Sequence, residues 1–207
     1  MFKIIEPEIK VLVDIKYNNI EVKEKLEEYS FENENIKLSS SVEITGCKFN
    51  GVIFDKVDIK FGNVEDVEFI NCDLSNVSFI DTSLYRVKFV NCKLLGTDFI
   101  DSNINNTIIE DSMCKLINLS NLELKNIKLL NSNFGESTIM DCNMKNIEIN
   151  NINFIRSEIT NTPLKNIDLS NSNLEGIKID LNSIKGMIIN HYQAMDLIGL
   201  LGVKIKE

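Results

Sequence analysis

Residues Cys72–Gly96 read CDLSN VSFID TSLYR VKFVN CKLLG when cut into fives. Each block carries a large apolar residue in third place: Leu74, Phe79, Leu84, Phe89 and Leu94. A small or β-branched residue leads each block (Cys72, Val77, Thr82, Val87, Cys92), and Asn76, Asp81, Arg86, Asn91 and Gly96 close them. Working outward, the same spacing holds from Ile44 to Ile189, which makes 30 apolar centres in unbroken series. Eight of the 11 Phe lie on it, so the series is a design rather than an accident of composition. Neither alternation by two nor a period of 3.6 fits.

The flanking positions set the local conformation. Two residues before a centre, 21 of 30 positions hold Val, Cys, Ser, Thr or Gly, which marks a narrow interior. Two residues after it, 22 of 30 hold Asn, Asp or Gly, the residues that tolerate left-handed or tight-turn backbone. Each unit therefore reads as a short strand with two inward side chains, followed by a corner. Composition agrees: 31 Ile and 28 Asn stand against one Ala, and so little of the best helix former argues against a mainly helical protein.

Segments such as CDLSN at 72–76, CKLLG at 92–96 and SNLEG at 172–176 resemble the pentapeptide-repeat family. The resemblance covers residues 42–190. It implies an all-β fold, a right-handed quadrilateral β-helix in which four pentapeptides make one square coil. Thirty repeats then give about 7.5 coils and a rod roughly 36 Å long. Residues four repeats apart would stack, placing Phe49, Phe69 and Phe89 in one aromatic ladder and Phe79 and Phe99 in a second. Cys47, Cys72, Cys92 and Cys142 read as core filler. An odd count of five cysteines without a CxxC pair argues against a disulfide framework and a zinc site.

Both ends of the rod need covers. Residues 1–41 are expected to cap the N-terminal end, with Ile9, Val11, Val13, Ile15 and Tyr17 alternating like a strand. VKEKLEEY at 22–29 reads as a short helix, and Phe31 with Ile36 as an irregular first coil. Residues 191–207 break the series: HYQAMDLIGLL reads as a short C-terminal α-helix, with Asn190 and Gln193 set for a capping box and Gly202 as its stop. Ala194, Leu197, Ile198 and Leu201 form an apolar stripe, and Val203–Ile205 suit a short strand. The string YQAMDLIGLLGVKI resembles the C-terminal dimerisation segment of the Qnr and MfpA group of pentapeptide proteins, which act on type II topoisomerases. The resemblance implies a homodimer through Tyr192, Met195, Ile198 and Leu201.

Function is expected to be binding. The sequence offers no nucleophile–base set, no phosphate-binding glycine motif and a single histidine, His191, so neither catalysis nor a cofactor is expected. A net charge of −9 disfavours direct contact with nucleic acid or an anionic membrane. The opening MFKIIEPEIK does not read as a signal sequence, and a cytoplasmic setting is expected. In the square coil, Asp58, Asp81, Asp98, Asp101, Asp141, Glu158 and Asp180 share one face, opposed by Lys60 and Lys178. Lys125, Lys145, Lys165 and Lys185 form a ladder on the adjacent face.

The family resemblance implies mimicry of the DNA segment that gyrase or topoisomerase IV grips, in connection with quinolone resistance. A duplex of about 36 Å carries roughly 21 charges, whereas residues 42–190 hold 20 acids and 14 bases. The acidic face, not the whole rod, is therefore the candidate mimic. The unbroken series leaves no room for the loops that project from Qnr proteins, and in this it is similar to the MfpA type. The alternative is a scaffold for an unrelated partner, docking on the outward apolar residues Ile70, Val90 and Leu130 or Ile80, Ile100 and Met140.

Overall fold

A computed structural model describes residues 2–10, 12–16, 25–38, 41–55 and 57–203, the side chain of Leu201 excepted. The chain winds as a parallel β-solenoid of about eight turns with a short C-terminal helix. Two adjoining walls share one sheet that includes the eight-residue strands Asn63–Ile70, Ser83–Val90, Asn103–Glu110, Glu123–Leu130 and Asn143–Asn150. Each strand spans two repeat centres, for example Leu84 and Phe89, and bends between them at a residue with positive φ, here Arg86 at 53°. A second sheet stacks Asp58–Lys60, Ser78–Ile80, Asp98–Ile100, Asn118–Ser120, Thr138–Met140, Glu158–Thr160 and Lys178–Ile179. A line of single bridges from Ile53↔Asp73 to Asn153↔Asn173 makes the remaining wall. Partners in the regular series lie four repeats apart, as in Phe69↔Phe89 and Phe79↔Phe99.

The corners explain why the repeat takes five positions. From Gly46 to Asn166, every described residue two places after a centre has positive φ, between 47° and 66°. Asn, Asp and Gly adopt this region at low cost. Phe61, Arg86, Leu116, Glu136 and Arg156 are held in it too. At those five sites the repeat register overrides residue preference.

The interior holds the centres. All 30 are buried except Met144, Ile149, Ile184 and Ile189, which are half-buried. Phe31, Phe49, Phe69 and Phe89 stack face to face with centroids 5.2, 5.1 and 4.9 Å apart, and Phe79 stacks on Phe99 at 4.8 Å. Stacked pairs contribute roughly 0.5–1.5 kcal/mol beyond the area they bury. The small inward residues tie adjacent coils together. Thr82 Oγ1 donates to Ile59 O at 3.0 Å, and Ser102 Oγ donates to Phe79 O while accepting the Thr82 N–H, both at 3.0 Å. All five cysteines are buried and free, and burial pushes the Cys47 thiol up to about 11.

The first coil starts before the regular series. Leu26, Phe31 and Ile36 pair with Ile44, Phe49 and Phe54, so this coil is shorter by two positions than the later ones. This corrects the expected helix over 22–29: Lys25–Glu27 is a strand paired to Glu43–Thr45, because Leu26 fills the core as a centre does. Val22–Glu24 lie outside the described residues. The expected strand from Ile9 to Tyr17 is confined to Val13–Asp14, which pairs with Tyr29–Ser30; Val11 and Tyr17 lie outside the described residues. At the far end residues 181–186 fold into turns, and Ser183 rather than Asn182 takes the inward place, its Oγ accepting the Thr162 N–H at 3.0 Å.

Two substitutions test this account. Leu116 is exposed and held at φ 59°, so Leu116→Gly is expected to raise unfolding free energy by about 1 kcal/mol. Phe89→Ala opens the middle of the aromatic ladder and should cost about 3–5 kcal/mol. Equilibrium denaturant unfolding reads both.

Candidate functional site

The acidic residues singled out in the sequence gather on the second sheet and its corner. Asp58, Asp98 and Glu158 stand in one outward column, with Lys178 next after Glu158. The corner column reads Phe61, Asp81, Asp101, Asn121, Asp141, Asn161, Leu181, one residue per coil. Its exposed apolar ends, Phe61 and Leu181, went unremarked in the sequence because corner positions read as polar. Asp58, Asp81, Asp101, Asp141 and Glu158 are exposed, and Asp98 is half-buried.

Elsewhere on the surface some acids are paired with bases. On the first sheet, acids and bases meet across coils: Lys48–Glu68 at 3.5 Å, Lys128–Glu148 at 3.1 Å, and Arg86 with Glu65 and Asp66 at 2.9 and 2.5 Å. On the bridge wall Lys93 meets Asp73 at 3.4 Å. Along the acidic edge, Lys60 lies 3.9 Å from Asp58. Among the described residues, Asp81, Asp98, Asp101, Asp141 and Glu158 have no ion pair. Asp141 accepts a hydrogen bond from the Asn161 amide, which leaves its charge uncancelled.

Asp180 has a different occupation. Its carboxylate accepts the Asn182 N–H at 2.8 Å, the Ser183 N–H at 3.0 Å and the Asn161 N–H at 2.7 Å, as well as the Ser183 hydroxyl. The Ser183 hydrogen bond, helped by those backbone donors against the cost of burial, holds its carboxyl down to about 2. It closes the last turn of the solenoid. The lysine ladder is formed with Lys125 directly opposite Lys145, and all four lysines are exposed. Ile70, Val90, Leu130, Ile80 and Ile100 are half-buried, while Met140 is exposed.

At the C-terminal end the helix His191–Leu197 runs into a 3-10 turn, Ile198–Leu201. Asn190 accepts the Tyr192 and Gln193 N–H groups, and its own N–H donates to Gln193 Oε1, completing the capping box. Gln193 also reaches back, its amide donating to Leu169 O at 2.8 Å and Ser172 O at 2.6 Å. It thereby satisfies carbonyls that a further coil would have taken, a task the sequence did not disclose. Leu197 is buried below it. On the outer side Tyr192 and Met195 are 73% and 58% exposed, with Leu200 and Val203 also exposed. Ile198 is half-buried, Ala194 is exposed, and the Leu201 side chain and residues Lys204–Glu207 lie outside the described residues. No helix among the described residues is long and apolar enough to cross a membrane.

Residues 40–119 and 62–136 match the sequence profile of the pentapeptide repeat region. With its coil of four such repeats, the chain is a pentapeptide-repeat protein. Among solved structures it is similar to QnrB1, a plasmid-mediated fluoroquinolone resistance protein. A trypsin-treated variant of QnrB1 is 22% identical, over 88% of this chain and 90% of that one, with a TM-score of 0.40. Full-length QnrB1 is 23% identical over 92% and 95%, with a TM-score of 0.32. HetL, a pentapeptide repeat protein involved in heterocyst differentiation regulation from the cyanobacterium Nostoc, is 11% identical over 79% and 90%, with a TM-score of 0.23. No curated protein matches the chain.

The bound state of Asp180 carries a pH signature. A carboxyl lowered from 3.8 to about 2 adds stability that is fully present above pH 3.8 and lost as pH falls through about 2. Asp180→Asn should flatten that part of the acid-unfolding curve while leaving the melt at pH 7 less stable. Circular dichroism across the pH series checks it.

Proposed function

We propose that this chain is a non-enzymatic binding module whose acidic edge docks in the positively charged DNA-binding groove of a type II topoisomerase. The observation that carries the reading is the row of carboxylates at Asp81, Asp98, Asp101, Asp141 and Glu158, which have no ion pair among the described residues, whereas Glu65, Glu68, Asp73 and Glu148 each meet a base one coil away. Charges left uncancelled on one edge favour a basic partner and steer it. The constant register of four repeats per coil, free of projecting loops, keeps that edge straight. The tail's resemblance to the Qnr and MfpA segment supplies the partner class. In this reading the module competes with DNA for the enzyme, and a link to quinolone resistance would follow from that competition.

The same tail supports a homodimer. The C-terminal helix uses Gln193 and Leu197 to cover the coil and leaves Tyr192, Met195, Leu200 and Val203 bare. A second copy of the helix would cover this face and continue the acidic edge beyond one rod. The alternative of a scaffold for an unrelated partner draws on Met140 as an exposed apolar residue, beside five that are half-buried.

Titrated into a gyrase supercoiling reaction, the protein is expected to inhibit at micromolar concentration. Asp81→Lys with Asp101→Lys should weaken inhibition by about tenfold or more; an unchanged curve would place the contact elsewhere. Absence of inhibition by the unaltered protein, with and without a quinolone, overturns the topoisomerase reading. For the dimer, sedimentation velocity should show Met195→Asp as a monomer beside a dimeric parent, and a monomeric parent rejects the interface.

A further inference from the structure

The N-terminal residues 2–10 do not join the solenoid. They run outside it, across the strands of the first sheet and along the rod. The Glu8 N–H donates to Asp66 Oδ1 at 2.8 Å, and the Ile5 N–H donates to Asn106 Oδ1 at 3.1 Å. Three residues of this segment thus span two coils, 66 to 106. The next step of the same series sets residue 2 against coil 146, and Phe2 lines one open cavity together with Ile147, Glu148, Asn150, Asn166 and Asn171. The match is metric: three residues of extended or polyproline-like chain cover about 9–10 Å, and two coils rise about 9.6 Å. Between the two hydrogen bonds, Glu6 meets Lys88 at 3.6 Å.

The surface under the segment is shaped for it. Ile108 occupies an outward position yet is 5% exposed, and Asn106 is 3% exposed. Asp66 is buried as well; burial alone would raise its carboxyl, but hydrogen bonds from Arg86 and the Glu8 N–H hold it below the usual carboxylate range. The segment itself is lightly held. Phe2, Ile4, Pro7 and Ile9 are half-buried and Lys3, Ile5, Glu6, Glu8 and Lys10 are exposed, so none of its residues is buried as the covered groups are.

We propose that this face is a docking channel for an extended peptide and that residues 2–10 are its displaceable resident strap. The partner that fits is a segment of the same chemistry: extended, with a free main-chain N–H at every third residue, apolar side chains turned inward between them, and an acid to meet Lys88. Corner acceptors on alternate coils read the spacing of the peptide rather than its sequence. The proposal concerns a different wall from the acidic edge and does not depend on the topoisomerase reading.

The test uses the full chain and a fluorescein-labelled peptide, FKIIEPEIK, equal to residues 2–10. Ile5→Pro with Glu8→Pro removes both strap donors and should free the channel, so fluorescence polarisation is expected to show saturable binding at least tenfold tighter than to the unaltered protein. The same peptide N-methylated at the positions of Ile5 and Glu8 should lose that binding. A folded double-proline variant that binds no peptide, or binds both peptides alike, overturns the proposal. If the variant does not fold, hydrogen exchange on the unaltered chain decides. Ile5 and Glu8 amides that exchange far faster than those of Ser83–Val90 show a strap that lifts on its own; equal protection shows a fixed part of the fold and rejects displacement.

Discussion

A left-handed residue at every fifth position is the constraint on which the rest of this protein depends. It turns the chain through a corner after each short strand, and four such corners return it above its start. Because the corners fall at equal intervals, strands of successive coils lie in register and each coil covers the open backbone edge of the one before. Stacked phenylalanines, bridging hydroxyls and columns of like residues all follow from that register. The tolerance of Phe61, Arg86 and Leu116 for positive φ shows how firmly it is imposed. One unfavourable corner is held by neighbouring coils on both sides.

The same repetition decides what kind of site the surface can carry. A convex rod with one outward residue per position offers columns and edges in place of clefts, so recognition depends on the pattern of charge along a line. Seven of the 20 acids in residues 42–190 meet a base one coil away, and the five carboxylates of the acidic edge do not. At the C-terminal end the amides of Asn190 and Gln193 take the place of a missing strand. That economy leaves one side of the helix free of structural duties.

The regular part of the fold was legible from the sequence because one periodic feature controlled it. The centres and the corners could be placed from spacing alone, and both aromatic ladders from the four-repeat coil that the family resemblance implies. The ends could not, since their residues answer to shape rather than to period. Leu26 sits in a charged run that suits a helix, yet it is a strand centre because Phe31 and Ile36 repeat it by fives in a shortened coil. Asp180 belongs by position to the acidic face, but its four donors come from the turn at 182–183 and from Asn161. The strap carries no periodic signal at all: its contacts join residues 58 and 101 positions apart, and nothing local in MFKIIEPEIK announces them.

The strap's stride adds a condition on how such a rod can change length. A solenoid built on a constant register of four repeats can lose or gain a single coil with little disturbance to its neighbours. The strap is tied to particular coils: Glu8 to Asp66, Glu6 to Lys88 and Ile5 to Asn106. Removing the coil of residues 77–96 would take Lys88 away and bring Asn126 into the place of Asn106 opposite the Ile5 N–H. A change in the number of coils therefore changes which residues the N-terminal segment meets.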